Sequence, residues 1–131
     1  MEKSVFNADL IKEAVKKKLI VKKENTKSQI VELIISKVIE AAVTERKEKI
    51  IIPITFGTQG NIKSEMNNDI PLYLSEIREI INDIENWLKK AGFGAEIIYS
   101  FKDQNKDFGS YEDNEGIEVL SDIKIVISWK L

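Results

Sequence analysis

The 131-residue chain contains neither cysteine nor histidine, and these two absences exclude a large share of protein chemistry. Without thiolate or imidazole ligands, a disulfide framework, structural zinc, haem and iron–sulfur ligation are not expected. The usual general base at neutral pH is missing too, and with it every nucleophilic triad that depends on one. Any catalysis would fall to carboxylates, lysines or tyrosines. No apolar run approaches ~20 residues, the length that spans a bilayer. Met1 to Phe6 lack the basic start and apolar core of a secretory signal. With 43% hydrophobic and 32% charged residues, the expectation is a cytoplasmic protein whose residues 1–131 form one domain around one core. Neither a cofactor nor a membrane partner is expected.

Charge is unevenly placed. Residues 1–27 carry eight lysines against four acids, and the remainder twelve basic against eighteen acidic residues, for a net charge of −2. That sum offers no general attraction to nucleic acid. The lysine-rich start, Lys12, Lys16, Lys17, Lys18, Lys22, Lys23 and Lys27, has neither aromatic nor arginine among it. It therefore reads as a solvated helix face and linker before it reads as a polyanion site.

The stretch Leu74 to Phe101 organises the fold. Leu74, Ile77, Ile81, Ile84, Leu88 and Ala91 recur at three- and four-residue spacing, widened by Ile80 and Trp87, which predicts a helix with one buried side. Gly92 supplies its left-handed stop, Lys89 and Lys90 complement the end of its dipole, and Ala95, Ile97, Tyr99 and Phe101 then alternate as one face of a strand. Ahead of it, Asn7 is an N-cap, with Phe6 placed to staple onto Ile11, for a short helix over about Ala8–Leu19. A linker and a second helix, about Lys27–Glu45, follow, with Thr26 and Gln29 at capping-box spacing. That second helix is apolar around most of its circumference, which predicts burial on more than one side and favours self-association.

Ile50 to Phe56 is short and β-branched, and Pro53 within it places it at a sheet edge. The final strand, Val119–Trp129, alternates at Ile123, Ile125, Ile127 and Trp129 and has no breaker, so it belongs in the centre. The expected architecture is α+β: a three-stranded mixed sheet of order 1-3-2, two long helices on one face, and a short N-terminal helix over residues 1–25 with its linker.

Candidate sites lie in two polar loops. Gly57-Thr58-Gln59-Gly60-Asn61 follows a strand, where backbone amides can cradle phosphate, with Lys63 close by. It is no Walker loop, because glycine, lysine and serine or threonine are not adjacent, and a dinucleotide fingerprint needs a third glycine. An ordinary loop is the plainer reading. Asp103, Asn105 and Asp107 alternate as in the first half of a calcium loop, but Phe108 stands where glycine is needed and Asn114 where the closing glutamate belongs. No metal site is therefore expected. Glu112, Asp113 and Glu115 add carboxylates without a pairing that sequence can fix. Of the large aromatics, Tyr73 and Tyr111 are the two placed to meet a ligand, while Tyr99, Trp87 and Trp129 fall on predicted core faces.

The order of parts resembles a loose set of small uncharacterised bacteriophage and mobile-element proteins. The likeness runs through Ile39-Glu40-Ala41-Ala42, Trp87-Leu88-Lys89-Lys90-Ala91-Gly92-Phe93 and the closing Ile125-Val126-Ile127-Ser128-Trp129, and covers about residues 30–129. It implies a setting in which small proteins act by binding, and brings no catalytic residues with it. The function expected is that of a non-enzymatic, homo-oligomeric binding protein, a counter-defence factor that sequesters a small nucleotide signal or blocks a host protein. Gly57, Thr58, Gln59, Gly60, Asn61, Lys63, Tyr73 and Tyr111 would be its ligand residues. A structural or assembly protein acting through self-association is the alternative, followed by a carboxylate- and metal-dependent enzyme on phosphates.

Overall fold

The structure is a computed structural model that describes residues 7–56, 60–62, 70–103 and 118–131. Among the described residues, helix α1 (Ala8–Ile39), continued by a π turn, is followed by strand β1 (Lys49–Ile54), helix α2 (Leu74–Lys90), and strands β2 (Gly94–Asp103) and β3 (Glu118–Ser128). The fold is α+β, with sheet order β1-β3-β2. Both pairings are antiparallel, so the sheet is antiparallel throughout rather than mixed. β1 and β2 run parallel to each other but never pair, because β3 lies between them.

Pro53 sits in edge strand β1, opposite Lys124, with its carbonyl turned outward to the Asn61 amide, so that its missing N–H interrupts no ladder bond. Successive residues of a strand alternate across the sheet. The register aligns Ile52, Ile125 and Ile97 in one row, and Ile54, Ile123 and Tyr99 in the next. These rows form the covered face, with Ile52, Ile54, Ile123, Ile125 and Ile127 all buried. Helix α2 places Ile77, Ile80, Ile81, Ile84 and Leu88 in the same core, and α1 adds Ile30 and Ile34. Each such side chain contributes ~2 kcal/mol of apolar burial before the entropy of ordering is set against it.

The chain ends of α2 follow local chemistry. At its start the Glu76 carboxylate accepts from the Tyr73 N–H at 2.7 Å, the acidic half of a capping box. At its end Gly92, at φ 96°, donates to the Lys89 carbonyl at 3.1 Å, and Phe93 donates to that of Leu88 at 3.0 Å. This is a Schellman stop, for which glycine is the low-strain residue. On β2 the register shifts between Ser100 and Phe101, and Phe101, expected on the core face, is left exposed.

The largest departure from the sequence reading is α1. The short helix, linker and second helix are a single 32-residue helix. Asn7 caps it, accepting from the Leu10 N–H at 3.0 Å. The expected linker between Leu19 and Lys27 does not occur, because no glycine or proline interrupts residues 8–44 and because Thr26 is buried. Lys23 and Lys27 on either side of it pair with Glu79 and Asp83 of α2 at 2.9 and 3.7 Å. Tertiary contact therefore holds the helix through a weak capping signal. The α-helix also ends before Glu45: Glu40–Thr44 widen into a π turn. The Lys47 N–H reaches back to the Ala41 carbonyl at 2.9 Å, and Arg46 takes the left-handed conformation at φ 55°.

Candidate interaction surface

The two ion pairs fix how α1 lies on α2. Residue 23 meets 79 and residue 27 meets 83, so the helices run in the same direction. Because α2 begins at Leu74, five residues before Glu79, the part of α1 before about residue 18 reaches beyond it. Every residue from Asn7 to Lys18 is exposed, including Leu10 at 49% and the apolar Ile11 and Val15. The stripe that buries Ile30 and Ile34 continues towards the N-terminus past its support.

A second apolar stripe runs along the back of the same helix. At 3.6 residues per turn, Leu10, Ala14, Val21, Ser28, Ile35 and Ile39 fall within about 60° of one another, roughly opposite Ile30, with Lys17 and Glu32 at the two edges of that sector. Ile35 is 45% exposed, Ile39 56%, and Val43 in the π turn 74%. This is the over-apolar circumference expected of residues 30–43; one side packs on the core and the other does not. Covering the exposed half of such a side chain is worth on the order of 1 kcal/mol.

The outer face of the sheet is apolar in a weaker way. Ile51 and Ile98 are exposed there, but their rows also hold Glu96 and Lys124. Alternating charge on an open strand face suits contact with water. Its apolar residues therefore need no partner to explain them.

The residues expected to bind a small ligand fare differently from one another. Gly60 is buried, and a Cβ there would fall 2.6 Å from the Thr55 carbonyl carbon and 2.7 Å from that of Phe56. Glycine is required by this close approach of two backbones. Asn61 is committed to β1: its Nδ2 donates to the Pro53 carbonyl at 2.7 Å and its Oδ1 accepts from the Thr55 N–H at 2.9 Å. Its own N–H donates to Thr55 Oγ1 at 3.0 Å, and the Ile62 N–H donates to the Thr55 carbonyl at 3.0 Å. The amide side chain thus stands in for a neighbouring strand at the sheet edge. Pro53-x-Thr55 with Asn61 eight residues after the proline was a readable pattern whose partner the sequence could not assign.

Tyr73 is 72% exposed at the start of α2. Gly57, Thr58, Gln59, Lys63 and Tyr111 lie outside the described residues, as do Phe6 and Asn105 to Glu115 of the acidic loop. Of the predicted ligand residues, the described ones are therefore Gly60 and Asn61, side by side beyond β1, and Tyr73 at the start of α2. Elsewhere, Arg78 sits 4.8 Å from the centre of the Tyr99 ring. Burial raises the Tyr99 hydroxyl above its ordinary pKa, opposed by the charge of Arg78 and assisted by Glu85. Among the described residues no group of three acidic, cysteine or histidine side chains could hold a metal ion, and no helix is long and apolar enough to cross a membrane.

Comparison with family models, with curated proteins and with solved structures finds no match. The functional reading therefore rests on the molecule's own surface.

Proposed function

We propose that this chain is a non-enzymatic binding protein that works as a homo-oligomer, with α1 as its adhesive element. The observation that carries this reading is the back of α1. Leu10, Val21, Ile35 and Ile39 line an exposed apolar stripe along one helix, and Val43 extends it into the π turn; stripes of this kind mark protein contact. The alternative of a small-nucleotide binder is less well supported, because Gly60 and Asn61 have structural duties at the β1 edge. In the phage-like setting that the sequence resemblance implies, such a protein acts by occupying a surface of a host protein, without turning over a substrate.

Sedimentation velocity over a range of protein concentrations tests the reading. An oligomer at micromolar concentration is expected, with Ile35→Glu and Ile39→Glu together returning it to a folded monomer whose far-ultraviolet circular dichroism loses at most the helical signal of the N-terminal end of α1. A wild-type chain that stays monomeric to several hundred micromolar would refute it.

A further inference from the structure

We infer that the occupant of the α1 stripe is α1 of a second copy, lying antiparallel to it, with the basic half of each helix on the acidic half of the other. This rests on the self-association proposed above and specifies its geometry. The argument is one of charge. Along residues 8–22, Lys12, Lys16, Lys17, Lys18 and Lys22 outnumber Asp9 and Glu13; along residues 31–45, Glu32, Glu40 and Glu45 outnumber Lys37. Lys17 and Lys18 stand at the border of the apolar stripe in the first half, and Glu32 stands at its border in the second. A parallel pair would set lysine against lysine along one half and carboxylate against carboxylate along the other, which is the less favourable arrangement.

The apolar residues agree with the charges. They cluster at the two ends of the stripe, Leu10, Ala14 and Val21 towards one end and Ile35, Ile39 and Val43 towards the other, with polar Glu24 and Ser28 between them. Reversing one copy about a twofold axis near residues 26–28 sets Leu10 against Val43 of the partner subunit and Ala14 against Ile39 of the partner subunit. Lys18 then falls opposite Ile35 of the partner subunit, about one helical turn from Glu32 of the partner subunit. The same reversal places each core on the far side of its own helix, since Ile30 and Ile34 face away from the stripe. The otherwise unsupported end of α1 is covered in the process.

A chain without native cysteine makes the test clean. Leu10→Cys, Ser28→Cys and Val43→Cys variants are prepared singly, and all three substitutions fall on exposed positions. After mild oxidation, a mixture of the first and third is expected to give a disulfide-linked dimer at least fivefold more abundantly than either alone, and Ser28→Cys to cross-link with itself. Self-linking of Leu10→Cys in preference to the mixture would overturn the antiparallel arrangement. So would a failure of every variant to cross-link while each still sediments as an oligomer, and in both cases the proposed self-association stands. A monomeric wild-type chain would remove both proposals.

Discussion

Helices α1 and α2 are both rich in isoleucine and leucine, yet they distribute those residues in different ways. α2 gathers Ile77, Ile80, Ile81, Ile84 and Leu88 on one face and lays that face on the sheet. Around α1 the apolar residues point two ways: Ile30 and Ile34 towards the core, Ile35 and Ile39 towards solvent. A three-stranded sheet has area for one side of two helices and no more. The comparison teaches that apolar content fixes how much surface a helix must bury, whereas the angular spread of that content decides whether one chain can bury it. α2 turns most of its apolar residues to one covered face, leaving Leu74 and Trp87 partly open, whereas α1 also carries exposed isoleucines on the side away from its buried ones.

The largest expected effect separates the two helices directly. Ile84→Ala removes a fully buried side chain and should cost about 2–5 kcal/mol in denaturant unfolding. Ile39→Ala, measured at a concentration low enough to keep the chain monomeric, should change stability by less than ~0.5 kcal/mol. Equal losses at both positions would mean that α1 has a partner inside its own chain. Next in size is Asn61→Ala, which strips the β1 edge of its side-chain partner; a loss of ~1–2 kcal/mol is expected in the same experiment. A wild-type stability for this variant would return Asn61 to the pool of residues available for a ligand.

The helix ends sharpen the contrast further. α2 stops on Gly92 at φ 96°, so Gly92→Ala should destabilise by ~1 kcal/mol. The turn after α1 stops on Arg46 at φ 55°, so Arg46→Gly should leave stability unchanged or raise it by up to ~1 kcal/mol. Thermal unfolding of the two variants side by side reads the difference in sign. The smallest effect belongs to Lys23→Ala: its pairing with Glu79 is partly solvent-exposed and should be worth no more than ~0.5 kcal/mol. Its loss should diminish further in 1 M salt.

Much of the fold was legible in the sequence because its signals are local and agree with one another. The stripe and the glycine stop of α2, the alternation of β3 and the proline of β1 each have one reading, and together they give the 1-3-2 order. The continuity of α1 was not legible. Thr26 and Gln29 have the spacing of a helix start, and only contact with α2 shows that Thr26 is interior to a longer helix. The exposure of Leu10, Ile11 and Val15 was hidden for the same reason: their spacing describes an amphipathic helix, and spacing alone does not say whether anything lies under it. At Asn61, composition suggested a free polar loop. The hydrogen bonds instead tie the side chain to Pro53 and Thr55.

The most direct test of the central claim is amide hydrogen exchange along α1 as a function of protein concentration. A helical end of about a dozen exposed, lysine-rich residues is marginal alone and should exchange quickly. If the back of α1 is an oligomer contact, amides from Leu10 to Val21 will become slower to exchange as concentration rises, while those of α2 from Ile77 to Leu88 stay slow throughout. Fast exchange over Leu10–Val21 at every concentration would contradict the account.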